Sequence, residues 1–384
     1  MSLVSFMKIK SFSKYIYLMS ILLVIAFLYQ RYSTKLDNEK KSQNYNSIQK
    51  FLLNDPDDVE NGKINKPILW IHLAHEYNAR SWMSFGSRSS LELNQPYLYL
   101  TVSSIIKMCD KSFHICLIED NSFEKLINDW SIDLSRVSNP SKDYIRHLGM
   151  CKLLHKYGGM VVPASFDCMR DLKDLYEHGT VNDKLFVCEM TNRNITSTHK
   201  NFYPSINFMG CHKNINIMEE YIEFLQRTIS GDFTDQMKFL GEMDRWMNSK
   251  IEKKQVNLID GKLIGTKTME EDPILIEDLL SYEYIDIYPK TYGIYIPADE
   301  ILNRRHYEWF ARMSPKQVLE SKLCISKYLL LSNTPDAKMG VIEPMEDPKP
   351  DWIGFWKVPS GAPNWGPKPI YLGEHVPKLK HPSN

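Results

Sequence analysis

Residues 75–90 read HEYNARSWMSFGSRSS, a stretch that sets Arg80 and Arg88 among serines and Gly86. Arginine forks and backbone amides can hold a diphosphate without a metal ion; an ordinary polar loop with charge partners is the competing reading. Glu76 stands directly after an apolar run, where a carboxylate could act as the base for an acceptor hydroxyl or form a loop salt bridge. Asp120 closes another apolar run, Ser165 and Asp167 follow a third, and Asn207 sits in SINFMGCHK. Asp167 and Asp171 read either as ligand acids or as surface and helix-start acids. Phe202-Tyr203-Pro204 with Asn207 offers an aromatic wall and an amide for a sugar, or packing alone. Nucleophilic chemistry finds little support. Ser165 lies in no Gly-x-Ser-x-Gly turn, and the chain has no Gly-x-x-x-x-Gly-Lys-Ser/Thr loop. Its seven cysteines show neither a CxxC pair nor metal-ligand spacing.

These residues need a frame. Pro67 to Leu73, PILWIHL, has the near-continuous apolar character of a buried parallel strand. LYLTVSSIIKM (98–108) has helical length and follows Pro96, and FHICLI (113–118) gives a second buried strand that closes on Glu119-Asp120. Strand, helix, strand at this spacing is a βαβ unit and implies a parallel sheet, whose ligands gather at the carboxyl ends of the strands. The 144–156 segment predicts a helix with a wide apolar arc that includes His147. That histidine is either a core residue with a backbone partner or one aimed into the ligand cleft. Gly158-Gly159 fits a helix stop and tight turn, and Met160-Val161-Val162 a short strand. DQMKFLGEMDRWM reads as a helix whose Glu242, Asp244 and Arg245 form a solvated face.

At 384 residues and 43% hydrophobic, the chain is long enough for a large core. Lys plus Arg and Asp plus Glu both number 47, so net charge gives no reason to expect nucleic acid as a partner. Residues 1–14 form a short basic tail. The uncharged run 15–30, between Lys14 and Arg31, predicts a single transmembrane anchor whose flanking tyrosines and basic residues reach the interfaces. A cleaved signal peptide is the alternative, although Gln30-Arg31-Tyr32 is not the small-residue site that cleavage needs. The polar segment 31–65 reads as a stalk, 66–338 as the folded domain, and 339–384 as an extended arm. That arm holds nine of the chain's 20 prolines, together with Trp352, Trp356 and Trp365.

LLHKYGGMVV and the turn after it resemble the sugar-binding region of the Asp-x-Asp glycosyltransferases, and most nearly the capsular polysaccharide synthesis branch. The ILWIHL and FHICLIED strands and SINFMGCHK agree. The likeness spans roughly residues 66–275 and implies a GT-A-like, Rossmann-like α/β fold: a mixed, mostly parallel sheet with helices on both faces. It implies a nucleotide-sugar donor and a glycan or glycoprotein acceptor. With the anchor, it also implies a folded domain on the lumenal or external side of a membrane. It assigns Gly158, Gly159, Ser165 and Asn207 to the substrate cleft. The departures bear on the chemistry. The family's helix Asp falls on His147, its helix Arg on Met150, and its acidic turn on Pro163-Ala164-Ser165. The usual Mn²⁺ or Mg²⁺ ligand is therefore missing, and no metal site is expected. Two readings follow: an atypical, metal-independent transferase with Glu76, His147 and Asp167 as catalytic candidates and Arg80, Arg88 and Asp120 on the donor, or an inactive relative serving as a membrane-tethered binding or structural protein. The run Tyr-Gly-Gly-Met-hydrophobic-Pro-x-Ser is also similar to uncharacterised proteins of large DNA viruses.

Overall fold

The computed structural model describes residues 66–74, 95–137, 141–192, 201–231 and 241–338. All of these fall within one unit of the chain, Leu53–Asn384. The expected anchor at 15–30, the stalk at 31–65 and the arm at 339–384 lie outside the described residues. Among the described residues, no helix is long and apolar enough to cross a membrane.

Strand β1 (Ile68–His72) is buried from Ile68 to Ile71, as its apolar run requires. Helix α1 (Leu98–Cys109) crosses to β2 (His114–Ile118), which pairs with β1 in parallel. The short α2 (Ser122–Leu126) precedes α3 (Ser141–Tyr157). At the end of α3, the Gly158 N–H bonds to the Leu154 carbonyl at 2.8 Å and Gly158 takes φ of 73°. Gly159 then opens β3 (Gly159–Val161) at φ of 100°. A Cβ on Gly159 would lie 2.1 Å from the Ile68 carbonyl oxygen, so β1 and β3 approach too closely for any other residue.

The chain continues through β4 (Phe166–Cys168), α4 (Lys173–Gly179), β5 (Leu185–Thr191), β6 (Phe202–Cys211), α5 (Asn216–Ile229), α6 (Glu242–Glu252) and β7 (Val256–Ile259). After β7 come α7 (Ile276–Leu279), β8 (Gly293–Tyr295), α8 (Ala298–Asn303), α9 (Glu308–Ala311), α10 (Pro315–Glu320) and α11 (Cys324–Lys338).

Six strands form one sheet in the order β2-β1-β3-β6-β5-β7, while β4 and β8 pair separately. Five strands of the large sheet run one way. β6 alone runs against them, antiparallel to both β3 and β5. The result is a mixed, mostly parallel α/β sheet: the βαβ pattern led to the parallel pairing of β1 and β2, and the family resemblance implied the mixed sheet. Alternate residues of the sheet, among them Trp70, Cys116, Ile118, Val161, Val187 and Met209, join Leu153, Leu154, Tyr221 and Met247 of α3, α5 and α6 in one core. On the opposite face, Phe186 fits against Gly179 of α4. A second core unites Tyr97, just before α1, and Leu100 of α1 with Ile294, Phe310, Val318, Ile325 and Leu329 of the C-terminal elements.

Candidate functional site

The sheet grows outward in both directions from β1 and β3: β2 lies on one side and β6, β5 and β7 on the other. The crevice between the carboxyl ends of β1 and β3 is therefore a topological switch point, where open α/β sheets take their ligands. His72 ends β1, Asp120 lies two residues beyond β2, and Pro163-Ala164-Ser165 follows β3. The first two turns of α3 bring Asp143 and Arg146 to the same edge.

These groups form a brace. Arg146 donates from Nε to Asp120 Oδ1 at 2.8 Å and from a terminal nitrogen to Oδ2 at 2.7 Å. The other terminal nitrogen reaches Asp143 Oδ1 at 3.2 Å. His72 Nε2 lies 2.9 Å from Asp120 Oδ1, and the His72 ring stacks on Phe123. Burial opposes the charge on Asp120. The hydrogen bonds and positive charge of His72 and Arg146 outweigh it and hold the carboxyl well below the usual range. With both oxygens engaged, Asp120 is a positioning group rather than a free base.

A second set of side chains continues the wall. Tyr203 begins β6, Asp244 sits in the first turn of α6, Tyr295 ends β8 and Asp299 opens α8. Burial raises the Asp244 carboxyl to about 6. Asp299 is solvent-exposed, yet the surrounding protein desolvates it enough to raise its pKa, and the negative charge of Asp143 adds to the effect. Burial also raises the Tyr203 and Tyr295 phenols, with Asp244, Asp299 and Glu300 adding to Tyr203, and Asp299, Tyr203 and Glu300 to Tyr295. Tyr144 feels both Asp143 and Asp244. Electrostatic reach thus links the brace, the α6 turn and the β8–α8 corner into one carboxylate-and-tyrosine surface.

The residues singled out from sequence scatter around this surface. Glu76, Arg80 and Arg88 lie outside the described residues. His147 is a core residue: its Nε2 meets the Tyr221 hydroxyl at 3.1 Å, and burial lowers its pKa to about 3. Asp167 is fully buried on β4, where its Oδ1 accepts from Ser332 Oγ of α11 at 2.7 Å and its Oδ2 has no partner. Burial lifts its carboxyl to about 6 against the pull of hydrogen bonds from Ser332 and Ser104. Ser165 is buried, and its carbonyl accepts from the Ile296 N–H at 3.1 Å. Asn207 is exposed in β6 where the register slips against β5. Gly158 and Gly159 are fixed by backbone packing, since a Cβ on Gly158 would stand 2.8 Å from Lys213 N.

One correction follows. Asp244 does not belong to a freely solvated helix face: it is half-buried, and burial raises its pKa. Asp299 and Tyr295 were missed altogether; a strand-end aromatic followed by an acid in YIPADE was the signal on offer. Among the described residues, no group of three or more His, Cys, Asp or Glu is arranged to hold a metal ion.

No protein-family model matches the chain. No curated protein matches it at a significant level. A solved structure that does match is the apo-form glycosyltransferase GlyE of Streptococcus pneumoniae TIGR4. The identity is 10% and the TM-score 0.34, over 74% of this chain and 66% of that one. A likeness this distant assigns neither activity nor substrate.

Proposed function

We propose that the chain is a GT-A-like glycosyltransferase that binds a nucleotide sugar at the β1/β3 crevice and passes the sugar to a hydroxyl of a glycan or glycoprotein. The observation that carries this reading is the carboxylate-and-tyrosine surface, where burial raises the half-buried Asp244 to about 6 and its charge reaches Tyr203. A carboxylate with that pKa is ionised at neutral pH and basic enough to take a proton in the transition state. Asp244 takes the acceptor hydroxyl proton as that oxygen bonds to the anomeric carbon, and the nucleoside diphosphate leaves with the electrons of the broken C–O bond. The tyrosines supply flat faces and hydroxyls for sugar rings. Arg80 and Arg88 are assigned to the diphosphate on the strength of their sequence context. The uncharged run 15–30 anchors the enzyme, with the folded domain lumenal or external.

A second reading, an inactive relative that binds without transfer, is favoured by Pro163 in place of the acidic turn and by Asp167 turned toward Ser332. Incubating the full chain with a panel of radiolabelled nucleotide sugars and glycan acceptors separates the two. Transfer that falls roughly a hundredfold or more in Asp244→Asn supports the enzyme. A folded chain that binds a donor but transfers nothing, even to water, supports the inactive relative.

A further inference from the structure

One side of α1 clamps the segment that leaves β3. Thr101 Oγ1 donates to the Ala164 carbonyl at 2.5 Å, and Ser104 Oγ accepts from the Cys168 N–H at 2.8 Å. At the foot of the helix, Cys109 Sγ lies 3.9 Å from Cys168 Sγ, and neither residue has any solvent exposure. The turn Pro163-Ala164-Ser165 and strand β4 are thus tied to α1 at three levels, and the lowest is a pair of thiols in contact.

We propose that Cys109 and Cys168 form a disulfide when the chain folds in an oxidising compartment, locking α1 to the strand that leads out of the turn at the β3 end of the cleft. The oxidant is a small-molecule disulfide. One cysteine thiolate attacks it, forming a mixed disulfide and releasing one thiol. The second cysteine then displaces the other thiol and closes the protein bond, so two cysteine protons leave on two reduced small-molecule thiols. Bringing the sulfurs from contact to the bonded distance of about 2 Å takes side-chain rotation at both residues. Burial and the neighbouring Cys109 raise the Cys168 thiol far above its ordinary value, which makes the folded Cys168 a poor nucleophile. The bond therefore forms during folding and resists reduction afterwards. The two residues are 59 apart in sequence, so the closed loop is long, the case in which a cross-link restricts the unfolded chain most. The bond is independent of whether the cleft transfers sugar.

The test is cysteine mapping of the full chain. The chain is reduced, unfolded, refolded in a glutathione redox buffer, quenched with acid, alkylated under denaturing conditions and digested. The expected result is one linked peptide pair joining Cys109 to Cys168, with Cys116, Cys151, Cys188, Cys211 and Cys324 all alkylated. Cys109→Ala should lose the pair and leave Cys168 open to alkylation. A chain that refolds with all seven cysteines alkylated, or with a different pair joined, overturns the proposal. The same mapping on chain exported to a bacterial periplasm needs no refolding step, and absence of the 109–168 pair there overturns it equally.

Discussion

Arg146 grips both carboxylate oxygens of Asp120, at 2.8 and 2.7 Å, and so ties the N-terminal part of α3 to the carboxyl end of β2. The third arm of the guanidinium goes to Asp143, and His72 completes the set from β1. Three elements that meet at the switch point are thereby held in one register, with the arginine only 8% exposed.

Removing the arginine should therefore cost stability as well as geometry. Arg146→Met leaves Asp120 with His72 alone, and a loss of about 2–4 kcal/mol is expected for a pair this enclosed. The Asp120 pKa is depressed in the fold, so its contribution is fully present above the ordinary value of 3.8 and fades as pH falls below it. Denaturant titrations of wild type and Arg146→Met should differ most near neutral pH and converge in acid. A constant difference down to pH 2 would mean that packing, not charge, is what the arginine supplies.

Asp167 behaves in the opposite sense. Its folded pKa is raised from 3.8 to about 6, so the fold favours the protonated acid. Stability is greatest below 3.8, falls as pH rises through that window and levels off above about 6. The total cost of ionisation is roughly 3 kcal/mol. Asp167→Asn keeps an oxygen to accept from Ser332 and carries no charge. Its unfolding midpoint relative to wild type should rise between pH 4 and 6 and then hold constant. A variant less stable than wild type at pH 8 would contradict this.

Gly159 tolerates no side chain. Its φ of 100° and the 2.1 Å approach to the Ile68 oxygen mean that Gly159→Ala must push β3 away from β1. A loss of roughly 3 kcal/mol or more is expected, read as a fall in the denaturation midpoint or in soluble yield. An unchanged midpoint would show that the two strands are not so closely apposed.

If Asp244 is the base, activity follows its ionisation. The rate at subsaturating substrate should rise about tenfold per pH unit below about 6 and level off above it. Asp244→Asn should lose roughly a hundredfold or more and lose that acid limb. Retention of the limb in the variant would assign the base to another residue.

Much of the frame was legible because burial on both faces makes parallel strands read as apolar runs. PILWIHL and FHICLI became β1 and β2, and the stop at Gly158-Gly159 ended α3 where expected. The site was less legible. Asp143 and Arg146 drew no notice in the sequence because their partner Asp120 lies more than 20 residues earlier, on another element. Asp244 looked like an ordinary surface acid because helical spacing alone does not show how deeply a position is buried. Asp167 looked available for chemistry until α11, more than 150 residues later, placed Ser332 over it.

The central claim is that the carboxyl-edge cleft holds a nucleotide sugar. Calorimetric titration of the full chain with a panel of nucleotide sugars, with and without Mn²⁺, tests it most directly. The account predicts micromolar binding of one donor without metal, weakened by Arg80→Ala or Arg88→Ala and retained in Asp244→Asn. A folded chain that binds no donor under either condition would contradict it.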